Sequence, residues 1–166
     1  MAMNEQSDVR PPSLDLIYVE VKDRLDQQFK QIETITTRAG FITGFASLVL
    51  ATLITIRKNM GELCNAEIIL LGVAGVLYGL VLFFSYRAYG LKTYTRDPEP
   101  RPLRDGYLQK PEYETKRQIL TQFIESFDHN TKIINERVKN LKRAIFSLFG
   151  LIIFLLALLF ILTPEN

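Results

Sequence analysis

Three stretches of the chain contain no charged residue, and each is long enough to cross a lipid bilayer. They are residues 39–56, 68–86 and 144–162, with lengths of 18, 19 and 19 residues. At 1.5 Å of rise per residue, a helix of this length covers about the 30 Å of the hydrocarbon core. The pattern therefore predicts three transmembrane helices and argues against a soluble globular protein.

The polar segments before the first and third spans carry a second pattern, a seam of apolar positions at alternating steps of four and three residues. The first seam comprises Leu14, Tyr18, Val21, Leu25, Gln28, Ile32, Ile35, Ala39 and Ile42, and the second comprises Leu120, Ile124, Phe127, Thr131, Ile134, Val138, Leu141 and Ile145. Such spacing is typical of helices that pack lengthwise against each other. It predicts two long helices, 13–56 and 111–162, that continue from water into the membrane.

These elements predict an all-α fold with three transmembrane helices and a cytosolic parallel two-helix stalk, formed by extensions of the first and third spans. Both long helices enter the membrane N-terminus first, so they run parallel. Each seam has one polar position, Gln28 and Thr131, and both stand about 16–20 Å from the membrane entrance. We expect them to meet in a polar layer that fixes register. The alternative is that this layer is a loosened point where a signal changes the packing.

The remaining segments connect the helices. We expect residues 1–12 to be disordered, 13–38 and 112–143 to be the stalk helices, 57–67 to be a short outer loop, and 163–166 to be an outer tail. The second helix is expected to continue to about Tyr94. Residues 87–111 contain prolines at 98, 100 and 102, and this spacing predicts an extended linker rather than a helix.

The basic residues predict the orientation. Of the 20 Lys and Arg residues, 18 lie in residues 1–38 and 87–143, on one side of the predicted membrane. Because basic segments are retained in the cytoplasm, this side is expected to be cytoplasmic. The N-terminus is then cytoplasmic and the C-terminus extracytoplasmic, in a multi-pass protein of the bacterial cytoplasmic membrane. The single Cys64 falls in the outer loop, and no signal peptide is expected.

Five glycines in the first two spans are candidates for close helix packing, because small residues let helix backbones approach each other in lipid. They form the pairs Gly40 and Gly44 in the first span and Gly75 and Gly79 in the second, with Gly72 nearby. Packing within the chain is the preferred interpretation, and contact between subunits of a homo-oligomer is the other.

Hydroxyl residues recur every four positions along the first span, at Thr43, Ser47 and Thr55, with Ala51 completing the series. They are candidates for the lining of a pore formed by several subunits. The preferred interpretation is that the hydroxyls bond to backbone carbonyls four residues earlier or to a neighbouring helix. No ionisable residue lies within a span, which argues against a proton relay, a voltage sensor or an ion-coupled transporter.

Tyrosine and basic residues alternate just after the second span. The basic members that are candidates for contact with an anion or a lipid headgroup are Arg87, Lys92, Arg96, Arg101 and Arg104. Lipid headgroups and topology are the preferred interpretation, and a nucleotide or other anion is the alternative. Catalytic and metal-ligating patterns are missing from the sequence, and the lone His129 is expected to be solvated. We therefore expect no enzyme activity, no cofactor and no nucleic-acid partner.

The order of elements resembles a family of small bacterial membrane effectors, the Pycsar transmembrane effectors, and more loosely the two-span SLATT effectors. The resemblance rests on residues 31–33 (QIE) and 37–41 (TRAGF) before the first span, and on residues 133–144 before the third. The family has an acid before the basic-Ala pair at the membrane entrance, where this chain has Thr36.

The resemblance implies a membrane-disrupting or pore-forming effector of a cyclic-nucleotide antiphage system, which assembles in response to the signal. The sequence contains no recognisable cyclic-nucleotide domain, so a cyclic nucleotide would act through the stalk or through a cytosolic sensor protein. The expected partners are thus the lipid bilayer, further copies of the chain and that signal or sensor. The alternative is a non-enzymatic scaffold or adaptor subunit whose stalk docks a soluble partner.

Overall fold

A computed structural model describes residues 13–58, 65–90, 94 and 110–162. In this part of the chain all regular structure is helical, in three helices: α1 (Leu14–Lys58), α2 (Asn65–Tyr89) and α3 (Glu112–Leu162). The predicted fold class is confirmed, and both long helices run without interruption through the segments assigned to them. Cys64, the other residues of 59–64, residues 1–12 and 163–166, and most of the linker lie outside the described residues.

The helix ends follow local chemistry. The carbonyl of Ser13 accepts a hydrogen bond from the amide of Ile17 at 2.9 Å, and that of Pro111 accepts one from Thr115 at 3.1 Å, so each residue stands just before the first helical turn. The second helix ends at Tyr89, and the prediction that it continues to Tyr94 is wrong. Gly90 ends it because this residue has a positive φ of 22°, while its amide still donates to the carbonyl of Tyr86.

All three helices are long and apolar enough to cross a membrane. At most 28% of the most apolar window of each helix is buried inside the protein, so most of these apolar side chains need a hydrocarbon environment. The chain is a multi-pass membrane protein. Helix α1 extends to Lys58 and α2 begins at Asn65, so both helices reach further into the predicted loop 57–67 than the charge-free stretches indicated.

The chain divides into two compact units, and α1 and α3 contribute to both. The two-helix unit includes residues 14–31 of α1 and 112–134 of α3. Its contacts advance together along both helices: Asp15 pairs with Lys116 at 2.8 Å, the ring of Tyr18 lies 5.6 Å from that of Phe123, and Gln28 reaches Thr131. This order confirms that the two helices are parallel.

The three-helix unit includes residues 32–58 of α1, all of α2 and residues 135–162 of α3. Here α2 runs antiparallel to α3, because Gly90 meets Arg137 whereas Phe84 meets Arg143. One cluster of buried side chains joins the three helices, and its members are Leu53, Ala74, Leu151, Leu155 and Leu158.

The predicted seam holds for α1 and shifts on α3. On α1, Leu25, Gln28, Ile35 and Ala39 are buried, and the other seam positions are half-buried. On α3, Ile124 is 44% exposed, although Ile134 and Leu141 are buried as expected. Most of the buried positions of α3 lie one residue before a position of the predicted seam. They include three polar side chains, Ser126, Asn130 and Arg137. Hydrophobic periodicity could not reveal this face, because it registers only apolar residues.

Candidate functional site

The two polar seam residues are in direct contact in the two-helix unit. The Gln28 side-chain amide donates to the Thr131 hydroxyl at 2.8 Å and to the Phe127 carbonyl at 3.1 Å. The Thr131 hydroxyl in turn donates to the same carbonyl at 2.8 Å. Gln28 is only 5% exposed, and its Oε1 atom is buried without a hydrogen-bond partner among the described residues. The polar layer thus ties the helices together while leaving one acceptor unused.

The glycine pairs face away from the protein. Gly40, Gly44, Gly72, Gly75 and Gly79 are all exposed, and a Cβ atom built on any of them would have no atom of the structure within 4 Å outside its own local helix. On α1 the buried positions Ala39, Ala46 and Leu53 lie on another side of the helix. Among the described residues no helix packs closely against these glycines, so this part of the structure gives no support to packing within the chain, the preferred interpretation. Contact between subunits stays a prediction.

The hydroxyls of the first span are satisfied within the protein. Thr43, Ser47 and Thr55 each donate to the carbonyl four residues earlier, at 2.9–3.0 Å. Ser47 also lies 2.9 Å from the hydroxyl of Tyr78 on α2. These bonds are the ones expected under the preferred interpretation. A pore lining by this face stays an untested alternative, and Tyr78 is a partner that sequence spacing did not reveal.

A basic and aromatic cluster lies where α2 ends and α3 enters the apolar region. Arg87 is the only one of the five predicted anion-contact residues that the structure describes, since Lys92, Arg96, Arg101 and Arg104 lie outside the described residues. Its guanidinium stands 5.7 Å from the ring centre of Phe83. On α3, the guanidinium of Arg143 stands 5.7 Å from the ring centre of Phe84. The two rings are in edge contact, 5.4 Å apart.

Arg137 is the main side chain that the sequence analysis did not single out. It is 4% exposed and donates from Nη2 to the carbonyl of Gly90, just beyond the last turn of α2. A cation at this position satisfies a terminal carbonyl and complements the partial negative charge of a helix C-terminus. In the sequence, Arg137 is one of four basic residues shortly before the third span and looks like a topogenic charge, so only the structure distinguishes it.

The described residues contain no group of three His, Cys, Asp or Glu side chains that could hold a metal ion, and His129 is exposed. No family model, no curated protein and no solved structure matches the chain.

Proposed function

We propose that this chain is a protein of the bacterial cytoplasmic membrane and an effector of antiphage defence. Several copies associate in the bilayer, and their assembly disrupts the membrane. In this proposal the N-terminus and the two-helix unit are cytoplasmic, as the distribution of basic residues indicates. A cyclic nucleotide, or a cytosolic sensor protein, triggers the association.

The observation that carries the proposal is the outward position of the five glycines. A glycine in a helix destabilises it by about 0.5–1 kcal/mol relative to alanine, and contact with lipid does not offset this loss. Close approach of a second helix does offset it, because dispersion contacts and weak hydrogen bonds hold helices together in lipid. The described part of the chain supplies no such helix at Gly40, Gly44, Gly72, Gly75 or Gly79, so a second copy is the proposed partner.

The proposed damage to the membrane arises from assembly rather than from a hydroxyl-lined channel. The hydroxyls of Thr43, Ser47 and Thr55 already have acceptors in their own helix. The defence role itself rests on the resemblance of residues 31–33, 37–41 and 133–144 to the effector family.

The test combines assembly with membrane potential. Gly44→Leu and Gly75→Leu should each weaken self-association by on the order of 1 kcal/mol. They should also reduce the depolarisation that follows overexpression, read with a potential-sensitive dye. Gly150→Leu is the matched control, because Gly150 also has no atom within 4 Å of its Cβ position and belongs to no small-residue pair. Depolarisation by both glycine variants at the wild-type level, or its absence in the wild type, would refute the proposal.

A second candidate function is a scaffold or adaptor that docks a soluble partner. It is favoured by the exposure of Leu16 (75%) and Val19 (56%) at the start of α1, in a segment that is otherwise rich in charge. A scaffold would leave the membrane potential unchanged. Replacing both residues by serine would then abolish partner binding without changing self-association.

A further inference from the structure

The cluster of Arg87, Arg143, Phe83 and Phe84 has an arrangement that the charge pattern alone does not imply. Arg87 directly follows the second charge-free stretch and Arg143 directly precedes the third, so both stand at an edge of the apolar region. Each guanidinium lies within the roughly 6 Å that permits attraction to an aromatic face. The two rings are in edge contact at an interplanar angle of 68°, so the two cations lie over adjoining rings.

The two guanidinium groups remain available to a ligand. Both arginine residues are exposed, and neither forms an ion pair with a described residue. Residues 135–143 of α3 contain four basic residues and one acid, so the surrounding charge is positive. A guanidinium stacked on a ring still directs its N–H groups outward in its own plane, and this geometry suits two parallel bonds to the oxygens of a phosphate.

We propose that Arg87 and Arg143, held on the Phe83–Phe84 pair, bind the phosphate group of an anionic phospholipid. Two features point to a lipid source: both arginines adjoin charge-free stretches, and phospholipid headgroups lie at that depth. Phe83 is 53% exposed, so its ring also presents apolar surface beside the cations. The site does not depend on the proposed effector function, because it requires neither self-association nor a signal.

The experiment is a lipid titration of the full-length protein in detergent, followed by native mass spectrometry. The lipids are phosphatidylglycerol and the zwitterionic phosphatidylcholine. We expect tighter retention of phosphatidylglycerol by the wild type, and at least about tenfold weaker retention in the double variant Arg87→Gln, Arg143→Gln. The matched control is Lys139→Gln with Lys142→Gln, which removes the same amount of charge from exposed positions of α3. This control should change retention less than about twofold.

A conservative variant separates a built site from simple charge attraction. Arg143→Lys keeps the charge and loses the planar fork, so it should still weaken phosphatidylglycerol retention. The proposal would be overturned if the double lysine control lost phosphatidylglycerol retention as strongly as the double arginine variant. It would also be overturned if the double arginine variant retained phosphatidylglycerol at the wild-type level. An excess of inorganic phosphate should not displace the lipid. Displacement would identify a soluble phosphate compound, rather than a lipid, as the ligand of this site and would overturn the lipid assignment.

Discussion

The side-chain amide of Gln28 is buried with only one of its two polar atoms in use. Its nitrogen donates to Thr131 and to the Phe127 carbonyl, whereas Oε1 finds no donor among the described residues. A buried acceptor in this state typically costs about 1–3 kcal/mol. Single polar residues in apolar seams are known to fix helix register at a cost in stability. This role for the layer, and the alternative that the layer is a loosened point, stay predictions.

Replacing Gln28 by leucine should stabilise the two-helix unit, by on the order of 1 kcal/mol. The change buries apolar surface and removes the unused oxygen, while Thr131 keeps its bond to Phe127. Thr131→Val is the paired variant and should destabilise the two-helix unit, because it removes one of the two acceptors of the buried Gln28 side-chain amide. Hydrogen exchange over residues 14–31 and 123–134 measures both. Faster exchange in Gln28→Leu would contradict the prediction.

Lys116 is the titratable side chain whose contacts have a predictable effect on pH dependence. Hydrogen bonds to Asp15 and then to Glu112 raise the pKa of Lys116 above its ordinary value of 10.5. A raised pKa means that the stabilisation is fully present below 10.5 and is lost as the pH rises through the folded-state value. Because both partners are largely solvated, the effect on stability is small.

The pKa itself is therefore the better observable. Nuclear magnetic resonance of the protein with ¹³C-methylated lysines should show that the pKa of Lys116 is raised above its ordinary value. Asp15→Asn should lower that pKa towards 10.5, because it removes the partner with the largest effect. Asp23→Asn is the control, since it removes a comparable exposed charge from the same helix. An unchanged pKa in Asp15→Asn would show that the ion pair does not persist in solution.

At the scale of the elements, the end of α2 depends on a side chain of α3. Gly90 has a positive φ, and a Cβ there would approach the Arg87 carbonyl to 3.2 Å and Nη2 of Arg137 to 3.6 Å. The backbone thus turns out of the helix where the Arg137 guanidinium can reach the Gly90 carbonyl. This buried contact joins two helices that are distant in sequence.

Arg137→Gln should loosen the last turn of α2. The loss of a charged hydrogen bond to the Gly90 carbonyl is expected to cost about 1.5–3 kcal/mol. The measurement is hydrogen exchange of the amides from Tyr86 to Gly90, which should accelerate in the variant. Lys139→Gln is the control, because Lys139 is an exposed cation on the same turn of α3. If hydrogen exchange accelerated equally in both variants, the cause would be the loss of positive charge rather than the loss of the hydrogen bond to the Gly90 carbonyl.

At the scale of the whole molecule, orientation determines which compartment can deliver a signal. The basic residues predict that residues 59–64 face away from the cytoplasm, although the structure does not describe them. Cys64 is the only cysteine and lies in this segment, so it can report the orientation without an introduced label.

A membrane-impermeant thiol reagent should label Cys64 in intact spheroplasts. The control is Lys132→Cys in a Cys64→Ser background, since Lys132 is exposed and belongs to the two-helix unit. This variant should be labelled only after lysis. The reverse labelling pattern would show that the topology is the opposite of the predicted one. The two-helix unit would then lie outside the cytoplasm, which contradicts a cytoplasmic trigger.

The sequence by itself determined the parts of the architecture that depend on local hydrophobicity. Charge-free stretches of about 20 residues identify spans because lipid solvates apolar helices and excludes charge. The alternating steps of four and three identified the α1 seam and the partner of Gln28. These features follow from 3.6 residues per turn and from burial of apolar surface, so they can be read along one chain.

Only the tertiary structure decided which faces meet. It placed the glycine pairs on outward faces, buried Asn130 and Arg137 on α3, and brought Arg143 beside the ring of Phe84 on α2. Each of these outcomes depends on how one helix is rotated against another. A rotation by one residue, about 100°, replaces most of the buried positions, although on α3 Ile134 and Leu141 stay buried. Polar contacts such as that of Arg137 with the Gly90 carbonyl help to set the rotation, and a pattern of apolar positions does not contain them.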